Sequence, residues 1–383
     1  MSRPTVVHLT TVDMSLALLL LPQLTAFREA GYDVVGVSAP GPYVPLLEDH
    51  GIRHVALDRS TRAANLRADL AAARAFVRVC RNLRPDIVHT HNPKPGVYGR
   101  IGARLARVPH IVNTVHGLYA QPTDPFPRRV VVYALERLAA SFSHVELVQN
   151  PEDIPTLRRL GIPRRKLRVL GNGVDLGRFD PSRDADARRE VRAELGIGYE
   201  EVVIGLVGRL VAEKGYREVF AAAREVHRRQ PAARFVVAGP MDPDKADAIT
   251  AAERDRAAAE AGVRFLGLYD EVERLYAAMD LYVLASHREG FPRSAMEAAA
   301  MGLPIVATDI RGCRQVVDHD RTGLLVPVRH PAALADAIGA LASDRERRTR
   351  MGFAAREKAF AEFDDRRQVD ITLEVYERLL ARR

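Results

Sequence analysis

The sequence predicts an α/β protein built of two doubly wound, Rossmann-like domains facing each other across a cleft. Three observations carry this expectation. Short apolar runs alternate with longer amphipathic segments along the whole chain, the pattern of parallel strands joined by helices. The alternation begins again near residue 202, after a polar stretch. A chain of 383 residues also exceeds what one hydrophobic core usually holds, so two domains are expected.

In the first series, TVVHLT (5–10), DVVGVSA (33–39), DIVHTH (86–91), HIVNTVH (110–116) and VELVQN (145–150) read as strands ending in polar residues. Strands covered on both faces are apolar almost throughout, which these are. LRADLAAARAFVRVCRNL (66–83) has helical periodicity, and LALLLL (16–21), the longest apolar run, reads as the start of a buried helix. The second series is EVVIGLVG (201–208), RFVVAG (234–239), VRFLG (263–267), DLYVLAS (280–286) and PIVATD (304–309). Between the two, residues 176–200 are polar and contain Pro181, so the linker is expected there. The domains are then expected over 1–180 and 196–360. A charged amphipathic helix over 361–383 is expected to pack back on the first domain.

Composition narrows the function. The chain is 47% hydrophobic and 28% charged, as in soluble globular proteins. It shows no apolar run of membrane-spanning length and no leader pattern, so a cytoplasmic protein is expected. Cys80 and Cys313 lack metal-ligand spacing and read as reduced thiols. The net charge of +8 is uneven: residues 1–175 carry 23 Lys+Arg against 14 Asp+Glu, leaving the remainder near neutral. A basic half favours an anionic partner. Arg74, Arg78, Arg81 and Arg84 share one helix face by their spacing, and 158–168 holds a second basic cluster; both suit an anionic membrane surface. Nucleic acid is not expected, because no recognised module or interleaving of aromatics with cations is present.

In open α/β sheets, ligands bind at the C-terminal ends of strands, and the polar motifs lie there. GLVGRLVAEKGY (205–216) places Arg209 and Lys214 after a strand, near a helix start. Two cations beside free helix amides make an anion site. HREGFPRSAMEAAAMG (287–302) follows another strand and carries Glu289 and Glu297 on either side of the Gly290-Phe291-Pro292 turn. Glu297 sits among alanines and methionines, where a carboxylate needs a partner. NTVHGLY (113–119) ends a strand at His116, suited to a donor or an acid–base role. His89 and His91 have the spacing of two metal ligands, but no third ligand stands out in the sequence, so no metal is expected. DAD (184–186), DPD (242–244) and DHD (318–320) read as turns.

Taken together, these residues resemble the family 4 glycosyltransferases of the GT-B architecture nearly end to end. The resemblance is carried by TVHG (114–117), NGVD (172–175), GRLVAEKG (208–215), HREGFPRSAMEAAAMGLPIVATD (287–309) and GCRQVVDHDRTGLLVP (312–327). HTHNPKPGVYGRIGARLA resembles the branch that assembles capsule and other bacterial surface glycans. The resemblance implies that Arg209 and Lys214 hold the nucleotide diphosphate and stabilise the leaving group. It implies that Glu297 binds ribose, that Glu289 holds the donor sugar with the amides of Gly290 and Phe291, and that His116 contacts the sugar and β-phosphate side. It further implies a retaining, metal-independent enzyme without a cofactor, acting through leaving-group stabilisation and domain closure. The expected donor is a UDP-sugar. The expected acceptor is a polyprenyl-diphosphate-linked saccharide, reached from the inner membrane face. A soluble sugar or sugar phosphate acceptor, a nucleotide-sugar epimerase and a silent nucleotide-sugar binder are the alternatives. One departure concerns residues 10–22, which contain no glycine where the family has a glycine-rich loop. Thr11 and Asp13 are expected to contact the acceptor there, while Arg74, Arg78 and Arg81 meet acceptor or membrane.

Overall fold

The computed structural model describes residues 3–61, 66–91, 93–120, 124–243 and 245–381. The chain forms two units, one of Met1–Gly171 with Arg366–Arg383, the other of Asn172–Asp365. The boundary therefore differs from the expected linker at 176–200. That segment belongs to the second unit, where Phe179 and Val191 enter the core. Its arginines gave it the look of a linker, yet Arg192 is buried and donates to Ala278 O at 3.0 Å and to the carboxylate of Asp280. An amphipathic helix, Ala187–Glu194, satisfies its charge on neighbouring carbonyls rather than in water.

The first unit holds a parallel sheet of β1 (Thr5–Val12), β2 (Asp33–Ala39), β3 (Arg53–Ala56), β4 (Ile87–His91), β5 (His110–Val115), β6 (Val145–Val148) and β7 (Leu167–Val169), in the order β3-β2-β1-β4-β5-β6-β7. The second holds β8 (Val202–Val207), β9 (Ala233–Ala238), β10 (Arg264–Gly267), β11 (Leu281–Leu284), β12 (Ile305–Thr308) and β13 (Gly323–Val326), in the order β10-β9-β8-β11-β12-β13. All register pairs between these strands are parallel. Strands β3, β7 and β13 are not evident from sequence. Each is a short edge strand of three or four residues, too brief for an apolar run to register.

Strand order reverses between β1 and β4 in one unit and between β8 and β11 in the other. At such a switch point the connecting helices leave to opposite faces and a crevice opens at the strand ends. The tail helix Asp365–Leu380 enters the first unit's core through Val375, Tyr376 and Leu379. The LALLLL run is a π-helical turn, Leu16–Leu20. It buries Leu16, Ala17 and Leu20 but leaves Leu18 and Leu19 exposed, so it is only half a buried helix start.

Candidate functional site

In the second unit, the segments that follow β8 and β11 meet at the switch point. After β8 the chain makes a short 3₁₀ turn, Ala212–Lys214, and enters the Tyr216–Arg229 helix through Gly215. Gly215 has φ +76°, and a Cβ there would lie 2.0 Å from Ala285 O. Only glycine fits a left-handed position against a neighbouring backbone. This contact carries Lys214 to the end of β11, where its Nζ lies 2.6 Å from Glu289 Oε1. Ser286 Oγ donates to the same carboxylate oxygen at 2.7 Å. Gly312 allows Glu289 to pack tightly, since a Cβ on it would approach the Glu289 backbone carbonyl at 2.7 Å. His287 N donates to Glu213 O at 2.8 Å, and the His287 ring meets Glu218 at 2.9 Å. The two strand-end loops are thus tied together around one half-buried ion pair.

Glu297 lies just past the middle of the Arg293–Ala300 helix, one turn after Arg293. Tyr276 Oη donates to its Oε2 at 3.1 Å, and Arg293 Nε stands 3.3 Å from Oε1. Burial raises its pKa, opposed chiefly by Arg293. The helix begins after Pro292 with no side-chain cap, so its first-turn amides suit an anion. Asn172 Nδ2 donates to Phe291 O at 3.0 Å, tying the NGVD motif to the Gly290-Phe291-Pro292 turn. Arg209 does not join the Lys214 cluster; its Nη1 pairs with Asp242 Oδ2 at 2.6 Å on an exposed edge. Asp242 is therefore an ion-pair partner, while Asp244, the other acid of DPD, lies outside the described residues. Asp184 accepts from Ala187 N at 3.0 Å, and Asp318 pairs with Lys358 at 2.6 Å.

In the first unit, His116 follows β5 and belongs to a chain of hydrogen bonds that the sequence does not reveal. Its Nδ1 meets Gln149 Oε1 at 3.2 Å and its Nε2 meets His91 Nδ1 at 3.1 Å. His91 Nε2 meets His8 Nδ1 at 3.0 Å, and His8 Nε2 meets Tyr376 Oη at 3.3 Å. Tyr376 Oη meets His89 Nδ1 at 2.6 Å, and His89 Nε2 meets Thr114 Oγ1 at 2.7 Å. With Gln149 Oε1 as the final acceptor, one direction satisfies every bond: each imidazole is neutral, donates from Nδ1 and accepts at Nε2. His8 supplies the third imidazole that the His89/His91 spacing lacked, and these three have the donor set of a metal site. Each of their ring nitrogens already has a protein partner, so the cluster satisfies itself as a hydrogen-bond chain. The signal available in sequence was the alternation His89-x-His91 on one strand; its pairing with His8 across β1 and β4 is a register effect.

Burial pushes His8 down to about 3 and His116 down to about 4, the Gln149 bond opposing the latter. His89 and His91 fall well below their ordinary value through burial and neighbouring imidazoles. An unfolded histidine titrates near about 6.5. Below that pH the unfolded chain binds protons that the folded unit refuses, so stability is full above about pH 6.5 and declines as pH falls towards about 4. His8 and His116 each contribute a loss of up to about 1.4 kcal/mol per pH unit in that window, and His89 and His91 act in the same direction. Urea unfolding of the first unit from pH 7 to pH 5 is expected to show a falling midpoint; a flat profile would rule the neutral chain out.

The remaining expected residues divide differently from the sequence reading. Thr11 and Asp13 are buried. Asp13 Oδ2 accepts from Tyr43 N at 2.7 Å, and Gly41 packs so closely on Asp13 that a Cβ would lie 2.5 Å from Oδ1. Asp13 therefore organises the turn after β2 rather than presenting its carboxylate. Arg74, Arg78 and Arg81 are exposed on the Leu66–Leu83 helix, but they serve different surfaces. Arg74 lines a cavity beside His116, and Arg81 lines a separate polar one with Arg84 and Arg107.

Comparison with known proteins places this geometry in a family. Residues 23–178 match the model described as Glycosyltransferase Family 4, and 201–344 match that described as Glycosyl transferases group 1. The chain is 34% identical over 287 residues to a D-inositol 3-phosphate glycosyltransferase of Xylanimonas cellulosilytica, covering 71% of this chain and 67% of that one. It is 28% identical over 309 residues to the UDP-Gal:alpha-D-GlcNAc-diphosphoundecaprenol alpha-1,3-galactosyltransferase of Escherichia coli, covering 80% and 78%. The fold matches that of Anabaena HepE, solved in complex with UDP and glucose, with a TM-score of 0.82 at 21% identity over 98% of this chain and 100% of that one. With both family models matched in order and the two parallel-sheet units of the GT-B type, the chain belongs to glycosyltransferase family 4 and is an enzyme that uses a nucleotide-sugar donor.

Proposed function

We propose that the chain is a retaining glycosyltransferase that moves a sugar from a UDP-sugar to a lipid-linked saccharide in surface glycan assembly. The observation that carries the donor side is the Lys214–Glu289–Ser286 cluster at the ends of β8 and β11. A diphosphate entering there offers Lys214 a second anion. Glu289 then exchanges its lysine for the donor sugar's hydroxyls while still accepting from Ser286. The amides that open the Arg293–Ala300 helix add their dipole to Lys214 against the charge that grows on the leaving diphosphate. Glu297, oriented by Tyr276 and Arg293, accepts from the ribose hydroxyls. Arg209 reaches the diphosphate on releasing Asp242. His116, held between His91 and Gln149, is assigned to the sugar and β-phosphate side, which its Nδ1 meets on exchanging the Gln149 acceptor for an oxygen of the sugar donor.

The E. coli relative acts on an undecaprenol-linked acceptor, and the basic first 175 residues suit an acceptor carrying phosphate at an anionic membrane surface. Among the described residues, no helix is long and apolar enough to cross a membrane, so contact would be peripheral. The Xylanimonas relative is named for D-inositol 3-phosphate, which keeps a soluble acceptor as the second reading.

A thermal-shift titration tests the donor reading. UDP at about 100 times its Kd is expected to stabilise the folded chain by about 2.7 kcal/mol, and Lys214→Ala to abolish that rise. Stabilisation by GDP or ADP in preference to UDP would reject the base assignment. Parallel assays on a GlcNAc-diphosphopolyprenol and on inositol phosphate separate the acceptors, and a product of inverted anomeric configuration would reject the retaining course.

A further inference from the structure

We propose that the cavity bounded by the Leu66–Leu83, Pro93–Leu105 and Phe126–Phe142 helices holds the hydrocarbon chain of the acceptor, next to its diphosphate. This rests on the lipid-linked reading above and gives it a place in the first unit. The cavity has a volume of about 560 Å³, within the span of ligand pockets. Ala73, Val77, Val97, Ile101, Val132 and Leu135 supply its walls, and His116 stands on its lining.

Away from Arg74, the polar groups deep in that lining are engaged by protein partners. Arg100 is held by Glu136 at 2.9 Å and Glu146 at 2.7 Å, and Asn113 Nδ2 donates to Glu146 at 2.7 Å. Thr114 bonds His89, and Lys94 bonds Asp69 at 2.5 Å and Thr61 O at 2.8 Å. A sugar in this space would lose its hydroxyls' water partners without finding replacements, at full desolvation cost. A hydrocarbon would lose nothing.

The mouth has the same character. Leu70 and Leu105 line the cavity yet are 49% and 63% exposed. The Phe126–Phe142 helix continues the apolar surface with exposed Val130, Val131 and Leu138. Contiguous apolar exposure of this kind marks an interaction site. Cations flank it: Arg74 lines the cavity and has no ion-pair partner among the described residues, and the Arg128 guanidinium lies 5.2 Å over the Tyr119 ring. An apolar chain ending in an anionic head matches this arrangement, with the head at Arg74.

The test uses the full chain with farnesyl diphosphate, inorganic diphosphate and phosphatidylglycerol vesicles as probes. Wild type is expected to bind farnesyl diphosphate, and Ala73→Phe, which fills the cavity, to weaken this by about 10-fold or more. Val77→Phe, filling it from a neighbouring position, is a second variant should the first not fold, and the UDP-induced melting rise serves as the folding control for both. Undiminished farnesyl diphosphate binding by a folded filled variant would overturn the proposal. So would inorganic diphosphate binding as tightly as farnesyl diphosphate, which would show an anion site alone. Binding to vesicles with none to farnesyl diphosphate would also overturn it, assigning the face to the bilayer. Absence of any UDP response in wild type strikes the donor reading instead and leaves the lipid result to stand by itself.

Discussion

Replacing Lys214 with alanine is expected to lower kcat by about 100- to 1,000-fold, the usual effect of removing one preorganised stabiliser of developing charge. Its ammonium stands at the switch-point ends of β8 and β11, 2.6 Å from Glu289. The charge it would stabilise grows on the leaving diphosphate, so the loss should fall on kcat and on kcat/KM alike. Glu289→Gln keeps the shape and the Ser286 hydrogen bond but removes the charge. It is expected to release Lys214 and to impair sugar positioning, with a smaller loss than Glu289→Ala. Neither residue is deep in the core, and surface-accessible pairs contribute only about 0–1 kcal/mol to stability. Melting temperatures should therefore stay close to wild type, since a change of about 1 kcal/mol moves the Tm of a unit this size by only about 2–4 °C. Near-wild-type turnover by Lys214→Ala would remove this cluster from the mechanism.

The largest stability effect is expected at Arg100. This guanidinium is fully buried, bonded to Glu146, Glu136 and the carbonyl of Gly96. Glu146 is equally buried, and Asn113 and Ser143 complete its hydrogen bonds. Burial raises the Glu146 pKa while Arg100 holds it down. Arg100→Met fills similar space but leaves a carboxylate without its cation, a change that costs about 3–5 kcal/mol. Arg100→Met with Glu146→Gln removes both charges and is expected to recover a large part of this. Urea unfolding followed in the first unit distinguishes the two. Equal destabilisation by the single and double variants would show that packing, not the unpaired charge, sets the cost.

Much of the fold is legible because parallel strands buried on both faces leave continuous apolar runs. DVVGVSA matches β2 residue for residue, and LRADLAAARAFVRVCRNL matches its helix. Short edge strands leave no such trace, and the 176–200 segment misled because an arginine that donates to buried carbonyls looks the same in sequence as one in water. At the site, Lys214, Glu289 and Glu297 are visible as polar residues after apolar strands. Ser286, Asn172 and Tyr276 are not, since their parts depend on contacts such as Asn172 to Phe291, 119 positions along the chain.

The sequence by itself determined the class of fold, the family and the cationic and acidic residues of the donor motifs, all of which are written in local runs and spacings. Only tertiary structure decided that Lys214 and Glu289 are partners, that Arg209 pairs elsewhere, that Asp13 is a turn organiser, and that four histidines form one neutral chain. These depend on strand order and register. Hydrogen bonds act over about 3 Å, and the sheet brings within that distance residues such as His8 and Tyr376, which are 368 positions apart.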